Sequence, residues 1–290
     1  MIIRRERMRK QKLLITRMLL AFAILAITIL APLECRASET AEKKKNIVVC
    51  IDAGHYKGCN VLSGKNMYGY DEGIVTLKIA LQLKEELKKY GIDSYLTRET
   101  DNIKIGGYKN KTLDSGHISL RGEYAKKADL FVSLHTNANN SNANGYETCD
   151  QPVEINKTIV LINKVACNSS KFVKLANEVG KAVTTANYEA GVSTTKKFTS
   201  VKKGKVKKWT DSYNDSLNKK GTVCYRFGKN GDYYGVLRGA SNVKVPGMII
   251  EHGFHTVEEV RRLAMEEDLT QKWAEADAYG IAKGFGLVND

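Results

Sequence analysis

Three apolar segments of this chain run directly into polar motifs, and this pattern constrains the fold more than any other feature. Each apolar run has the length of a buried strand, and helical segments alternate with the runs, which indicates a parallel sheet. The runs and the polar residues at their ends are 47–51 with Asp52 and His55, 130–134 with His135, and 248–250 with Glu251. Because ligands bind beyond the carboxyl ends of parallel strands, we expect His55, His135 and Glu251 to converge.

Helical spacing is clearest after the first strand. Apolar residues recur by threes and fours from Thr76 to Tyr90, with Asp71 as a predicted N-cap and Gly91 as a predicted C-cap. Further predicted elements are strands at 92–97 and 129–135, a short strand through Tyr146, and helices at 119–127, 172–188, 257–265 and 269–284. The sequence therefore predicts an α/β fold in a single domain, 46–288.

Residues 1–37 have the pattern of an export signal. A basic region precedes an apolar stretch from Met18 to about Leu33, and small residues follow, with a cleavage point at Ala37-Ser38. The alternative is an uncleaved membrane anchor, although the apolar stretch falls short of the ~20 residues that a span usually needs. Both alternatives place the domain outside the cytoplasm, in the cell wall or on the outer face of the membrane.

A lysine-rich segment at about 190–232 interrupts the strand and helix pattern, and we interpret it as an insertion near the site. The chain has a formal net charge of +14. Nucleic acid is not expected as a partner of an exported protein, whereas anionic cell-wall polymers would suit the positive charge. The alternative is a solvated surface segment without a partner.

The cysteines indicate neither a disulfide framework nor a thiolate zinc site. Of six cysteines, Cys35 belongs to the leader, and the other five have no regular spacing and include no Cys-x-x-Cys pair. Cys50 is predicted to be a core residue, and Cys59 lies in the loop after His55 and could be near the site.

Residue types at the strand ends suit a hydrolytic metal centre. Catalytic zinc typically has three protein ligands and an open position, and imidazole and carboxylate are suitable ligands. His55, His135 and Glu72 are the preferred set, because Glu72 opens the helix that follows the His55 loop. Asp52 would then orient the site from behind, and Glu251 would be free for proton transfer.

Each of these residues also has an ordinary structural interpretation. His55 could be a loop histidine, His135 could cap a strand end, and Glu72 could be a solvated helix-start acid. His252 and His255 rival His135 as ligands on residue type alone, and His117 is expected at the surface.

Several motifs in one order resemble the zinc-dependent N-acetylmuramoyl-L-alanine amidases, over about residues 46–285. The likeness is weakest between 150 and 235. The matching motifs are Ile51-Asp52-Ala53-Gly54-His55, Glu72 with 77–80, Leu96-Thr97-Arg98 with Asp101, Ser119-Leu120-Arg121 with Ala125, 128–138, Val236-Leu237-Arg238, Pro246, and Ile250-Glu251-His252-Gly253-Phe254.

The resemblance implies a twisted, mostly parallel sheet flanked by helices, with Zn²⁺ bound by His55, Glu72 and His135 and with Glu251 catalytic. It implies hydrolysis of the amide between the lactyl group of N-acetylmuramic acid and L-alanine of the peptidoglycan stem peptide. The chain departs from the family pattern at Ala53, where proline is usual, and at His255 and Thr256.

Two other functions are compatible with the same residues. One is a zinc peptidase that cuts elsewhere in the stem peptide, and the other is an inactive peptidoglycan-binding module. A pure binder has no chemical need for Glu251, which favours an enzyme. Because no wall-binding repeats follow the domain, an activator protein, the anchor or the basic segment would have to direct it to the wall.

Overall fold

A computed structural model of the protein describes residues 46–138, 156–192, 197–209 and 220–288. The predicted leader, 1–37, and the short strand expected through Tyr146 lie outside these ranges. Within the ranges, every helix is too short or too polar to cross a membrane.

One mixed sheet forms the centre of the domain. The strands of the described residues are β1 Val48–Ala53, β2 Asp93–Leu96, β3 Lys104–Ile105, β4 Tyr108–Lys109, β5 Leu130–Asn137, β6 Ile159–Ile162, β7 Phe198–Thr199, β8 Lys207–Lys208, β9 Gly221–Tyr225, β10 Phe227–Gly228, β11 Gly231–Asp232 and β12 Gly247–Phe254. Strands β3 and β4, and likewise β10 and β11, form separate two-stranded antiparallel sheets. The sheet order is β2-β1-β5-β12-β6-β9-β7, and β8 also pairs with β9. All these pairs are parallel except β6 with β12. The expected mostly parallel sheet is confirmed.

Helices cover the sheet. They are α1 Glu72–Lys89, α2 Lys111–Asp114, α3 Ser119–Glu123, α4 Lys164–Cys167, α5 Ser170–Glu189, α6 Gly235–Asn242, α7 Glu258–Glu266 and α8 Leu269–Phe285, and a 3₁₀ turn at Tyr124–Lys127 continues α3. The long helices α1 and α5 pack against both the sheet and α8, whereas α3 packs against α6. This is the predicted α/β architecture.

The hydrophobic core surrounds the three central strands β1, β5 and β12. Every residue of β1 after Val48 is buried, as are the first five residues of β5 and the first four of β12. The burial is interrupted at His135 and Asn137 in β5 and at Glu251 in β12, which are half-buried. The core therefore opens to solvent where the predicted site residues lie.

The start of α1 is fixed by Asp71. Its backbone is extended, and its side chain accepts a hydrogen bond from the Ile74 backbone N–H at 3.2 Å, which is N-cap geometry. At the other end, Gly91 has a φ of +67° and follows the last helical turn, as expected for a glycine that ends a helix. Both predicted caps are therefore found, and the N-cap places Glu72 at the first helical position.

Two features of the sheet were not predicted from the sequence. The antiparallel strand β6 is an apolar run of only four residues, which is too short to show a helical or a strand period. Strand β9 and its partners β7 and β8 lie within the segment interpreted as an insertion, 190–232. Their sequence is rich in lysine, glycine and threonine, and only the pairing with β6 makes β9 a strand of the sheet.

Candidate metal centre and active site

The carboxyl ends of the three central strands meet at one edge of the sheet. In the β1–β5 pair, Ala53 lies opposite Leu134, and in the β5–β12 pair, His135 lies opposite Glu251. His55 follows β1 by two residues and has a left-handed backbone, with a φ of +58°. The structure thus brings the three strand-end residues of the sequence prediction to one place.

Glu72 lies between two histidines. Its Oε2 atom is 3.5 Å from His55 Nε2, and its Oε1 atom is 3.2 Å from His135 Nδ1. The buried carboxylate accepts hydrogen bonds from Asn60 Nδ2 at 2.6 Å and from the Thr136 backbone N–H at 3.0 Å. One ligand atom from each of the three predicted metal ligands lies within 4.8 Å of the other two.

Hydrogen bonds behind each imidazole determine which ring nitrogen carries a proton. His55 Nδ1 is 2.9 Å from Asp114 Oδ2, and because a carboxylate can only accept, Nδ1 is the donor. Ser133 Oγ donates to Asp52 Oδ2 at 2.7 Å, so it accepts from His135 Nε2 at 3.1 Å. This leaves His55 Nε2 and His135 Nδ1 as the nitrogens that face the carboxylate between them and can coordinate a metal.

A cation is needed between these groups. Two nitrogen lone pairs and a carboxylate that face one another repel unless a positive charge lies among them. Imidazole and carboxylate ligands suit zinc, and three protein ligands beside an open cleft are typical of a catalytic zinc site. Hydrogen bonds that orient metal-binding histidines from behind are also usual. The residues present therefore fit a zinc ion.

Without a metal, a proton takes its place. Burial alone would lower the pKa of His55, but Glu72 and Asp114 outweigh burial and raise this pKa well above its ordinary value. Burial alone would raise the pKa of Glu72, but the neighbouring histidines, His55 foremost, hold it well below its usual range. Glu72 is therefore ionised and available to a cation throughout the neutral range.

Glu251 differs from Glu72 in its surroundings. Its Oε2 atom is buried and has no hydrogen-bond partner among the described residues. Burial raises the pKa of Glu251 to about 8, and the negative charge of Glu72 adds to the shift. Glu251 lines a cleft of about 290 Å³ together with His55, Glu72 and His135. A carboxyl group with a raised pKa in such a cleft is a candidate for proton transfer.

Arg121 connects the residues behind the site. Its Nε and Nη2 atoms donate to the two oxygens of Asp52 at 3.0 and 3.1 Å, and Nη1 donates to Asp114 Oδ1 at 3.0 Å. Arg121 is 1% exposed and Asp52 is fully buried, so the pair depends on this geometry to offset its desolvation. Arg121 thus holds the site from within, and Asp52 lies behind it as the sequence predicted.

The rival histidines are not in the ligand group. His252 is buried on the other side of β12, where Nδ1 donates to the His135 carbonyl at 3.0 Å and Nε2 is 2.8 Å from Asp277 Oδ2. His255 lines the cleft, but it stacks on Tyr70 with ring centroids 5.2 Å apart. His117 stacks on Tyr108 at the surface.

Three residues that contact the site were not found from the sequence. Asp114 lies in a segment rich in glycine, lysine and asparagine, which gave no signal of function. Asn60 likewise lies in the irregular loop after His55. Ser133 could have been found, because residues two apart in a strand share a face and His135 follows it in β5.

Comparisons with known proteins identify the family and the fold of the chain. Residues 49–283 match the Amidase_3 family, described as N-acetylmuramoyl-L-alanine amidase. The catalytic domain of CwlV, an amidase of this type from Bacillus (Paenibacillus) polymyxa var. colistinus, has a TM-score of 0.52 and 22% identity over 83% of this chain and 99% of that chain. The amidase AmiC2 of Nostoc punctiforme has a TM-score of 0.50 and 23% identity over 83% and 97%. The CwlD amidase from Clostridioides difficile, solved in complex with the GerS lipoprotein, has a TM-score of 0.52 and 20% identity over 84% and 100%.

No curated protein matches the chain significantly. The similar structures show a shared fold, and the family match spans most of the domain, so the resemblance seen in the sequence is confirmed. The chain therefore belongs to the Amidase_3 family of N-acetylmuramoyl-L-alanine amidases, enzymes that act on peptidoglycan.

Proposed function

We propose that this amidase binds Zn²⁺ through His55, Glu72 and His135. The observation that carries the proposal is the convergence of one ligand atom from each residue within 4.8 Å, with both imidazoles oriented by hydrogen bonds from behind. When bound, zinc polarises a carbonyl oxygen and lowers the pKa of a water molecule toward ~7. The chain itself holds the three ligands on separate elements and leaves one side of the metal position open to the cleft.

Glu251 is the proposed general base and acid. Its carboxylate takes a proton from the attacking water and returns it to the departing amine of L-alanine. The buried Oε2 atom has no partner among the described residues, so the group is free to exchange a proton with a reactant. A bound cation opposes the effect of Glu72 and so lowers the pKa of Glu251 from about 8 toward neutrality.

The bond that we propose is cut joins the lactyl group of N-acetylmuramic acid to L-alanine of the stem peptide. A zinc peptidase acting elsewhere in the stem peptide and an inactive binding module are the alternatives. An unpaired buried carboxylic acid costs stability and serves no packing purpose. The presence of Glu251 therefore favours an enzyme over a binding module.

Product analysis tests this proposal. The purified protein, loaded with zinc, is incubated with purified peptidoglycan, and the released material is identified by mass spectrometry. We expect stem peptides with a free L-alanine amino group. Fragments with other ends would show a peptidase. A protein that releases no fragments and binds no zinc would be a binding module.

We propose that the enzyme is exported and works at the cell wall, either free or anchored to the outer face of the membrane. The support is the basic and apolar leader in residues 1–37. The lysine-rich segment 190–232 would then face anionic wall polymers. Release of the protein from isolated cell walls by salt, and loss of wall binding when these lysines are replaced by glutamine, would test this contact.

A partner protein is also proposed. The CwlD amidase of Clostridioides difficile was solved in complex with the GerS lipoprotein, and its fold matches 84% of this chain. A lipoprotein on the same membrane face would meet an exported enzyme. Crosslinking in the native envelope should yield a recurring lipoprotein adduct, and no adduct would contradict the proposal.

A further inference from the structure

A second group of metal-ligating atoms lies beside the proposed zinc site. His55 Nδ1, Cys59 Sγ and Asp114 Oδ2 all lie within 4.8 Å of one another. Asp114 Oδ2 is 2.9 Å from His55 Nδ1 and 3.5 Å from Cys59 Sγ. All three residues are half-buried, so solvent and dissolved ions reach the group.

The separation of Cys59 Sγ and Asp114 Oδ2 already suits a metal site, and that of His55 Nδ1 and Asp114 Oδ2, 2.9 Å, need only increase by a few tenths of an ångström. Zinc–ligand bonds of ~2.0–2.3 Å place neighbouring ligand atoms about 3.3 to 3.8 Å apart around a tetrahedral ion. Arg121 Nη1 holds Asp114 Oδ1 at 3.0 Å and leaves Oδ2 directed at the other two ligands. A thiolate, an imidazole and a carboxylate together favour Zn²⁺ and softer cations such as Cd²⁺ over Mg²⁺ or Ca²⁺.

We propose that His55, Cys59 and Asp114 form a second, thiolate-containing metal site that competes with the catalytic site for His55. Binding replaces the thiol proton of Cys59, which leaves to solvent, by a sulfur–metal bond. The Nδ1 proton of His55 must also leave that nitrogen. It goes to solvent, because the metal-free site already has a proton between His55 Nε2 and Glu72 Oε2, which lie 3.5 Å apart.

The two sites therefore use opposite tautomers of one imidazole. The catalytic site needs the Nε2 lone pair of His55 and keeps the proton on Nδ1, toward Asp114. The thiolate site needs the Nδ1 lone pair and keeps the proton on Nε2, toward Glu72. A neutral imidazole has only one lone-pair nitrogen, so one metal excludes the other. Excess zinc, or cadmium, bound at the thiolate site therefore inhibits the enzyme by removing His55 from the catalytic site. This consequence rests on the proposed role of His55 as a catalytic zinc ligand.

Cobalt titration tests the thiolate site without an activity assay. Co²⁺ is added to the metal-free protein, and the ultraviolet charge-transfer band of a thiolate–cobalt bond is recorded. We expect the band in the wild type, its loss in Cys59→Ser, and its retention in Cys167→Ser, which replaces another half-buried cysteine. Absence of the band from the wild type, or its persistence in Cys59→Ser, would overturn the proposal.

His135→Ala separates this proposal from the catalytic one. Because this variant lacks a ligand of the catalytic site only, it should keep the thiolate–cobalt band. A band that disappears in His135→Ala would show that Cys59 joins the catalytic metal, which would overturn a separate site.

An inhibition assay then tests the competition. Amidase activity of the wild type and of Cys167→Ser should fall toward zero as Cd²⁺ is added, whereas Cys59→Ser should keep its own starting activity. If Cd²⁺ inhibited Cys59→Ser as strongly as the wild type, competition through this site would be contradicted. The cobalt band would still show independently whether the site exists.

Discussion

Glu72 and Glu251 are carboxylic acids of one cleft, but their surroundings shift their pKa values in opposite directions. Glu72 has histidines on both sides, and the charge of His55 foremost, with the hydrogen bond of His135, holds its pKa well below the usual range despite burial. The buried Oε2 atom of Glu251 has no hydrogen-bond partner among the described residues, and burial together with the charge of Glu72 raises the pKa of Glu251 to about 8. Two carboxyl groups with such different pKa values can take different roles, one as a metal ligand and one as a proton carrier.

The raised pKa of Glu251 predicts a pH dependence of stability in the metal-free protein. The ordinary pKa of this group is 4.5 and its folded value is about 8, so between these values only the folded state holds the proton. Stability from this group is complete below pH 4.5 and is lost as the pH rises toward 8. Glu251→Gln should remove this loss.

Urea unfolding of the two proteins with a chelator, at several pH values from 5 to 9, measures the effect. The free energy of unfolding of Glu251→Gln minus that of the wild type should increase up to about pH 8 and then level off. A difference that does not change with pH would show that Glu251 is ionised in the folded state.

At the scale of elements, α1 and the His55 loop are joined by one side chain. Asp71 caps α1 through the Ile74 N–H, and its other oxygen accepts from the Gly58 backbone N–H at 2.7 Å. Two of the proposed metal ligands, His55 and Glu72, lie on these joined segments. Asp71 therefore stabilises both the helix start and the geometry of the ligands.

Replacement of Asp71 tests this connection. Asp71→Ala should lower the free energy of unfolding by about 1 kcal/mol, the usual cost of a lost N-cap, and should also weaken zinc binding. Asp71→Asn should retain most of the stability. Asp268→Ala is the matched control, because Asp268 precedes α8 without a side-chain capping bond. Equal losses in urea unfolding for Asp71→Ala and Asp268→Ala would contradict the capping role.

Helices and strands with a clear spacing of apolar residues, or with capping or polar residues at their ends, were predictable from the sequence. Elements that depend on tertiary contacts were not. The stripe of α1 and the strand ends at His55, His135 and Glu251 were read from the sequence because apolar runs and polar ends coincide there. Strand β9 and the acid Asp114 were missed, since the first depends on pairing with β6 and the second on the approach of α2 to His55. Such contacts join residues far apart in the chain, so local sequence carries no signal of them.

At the scale of the whole molecule, the proposed ligands come from a loop, a helix and a strand that are distant in sequence. His55, Glu72 and His135 meet only when β1, α1 and β5 are packed together. The unfolded chain cannot present this geometry, so we expect zinc to bind the folded state far more tightly. Metal binding is therefore expected to stabilise the entire domain.

Thermal unfolding measures this coupling. Free zinc at 100 times its dissociation constant adds about 2.7 kcal/mol, which corresponds to a Tm increase of roughly 5 to 10 °C for a domain of this size. In a Cys59→Ser background, which lacks the proposed thiolate site, His135→Ala should lose the increase. His117→Ala should keep it, because His117 stacks on Tyr108 outside the ligand group. The same increase in this double variant and in the wild type would place the metal elsewhere.

The most direct test of the proposed mechanism compares bound zinc and turnover in two variants. Glu251→Gln should keep its zinc and lose kcat by about 10²- to 10⁴-fold, the usual contribution of a general acid or base. His135→Ala, made together with Cys59→Ser so that the proposed thiolate site is also absent, should lose both zinc and turnover. Full activity in Glu251→Gln, or zinc retained at wild-type affinity in this double variant, would contradict the roles assigned to these residues.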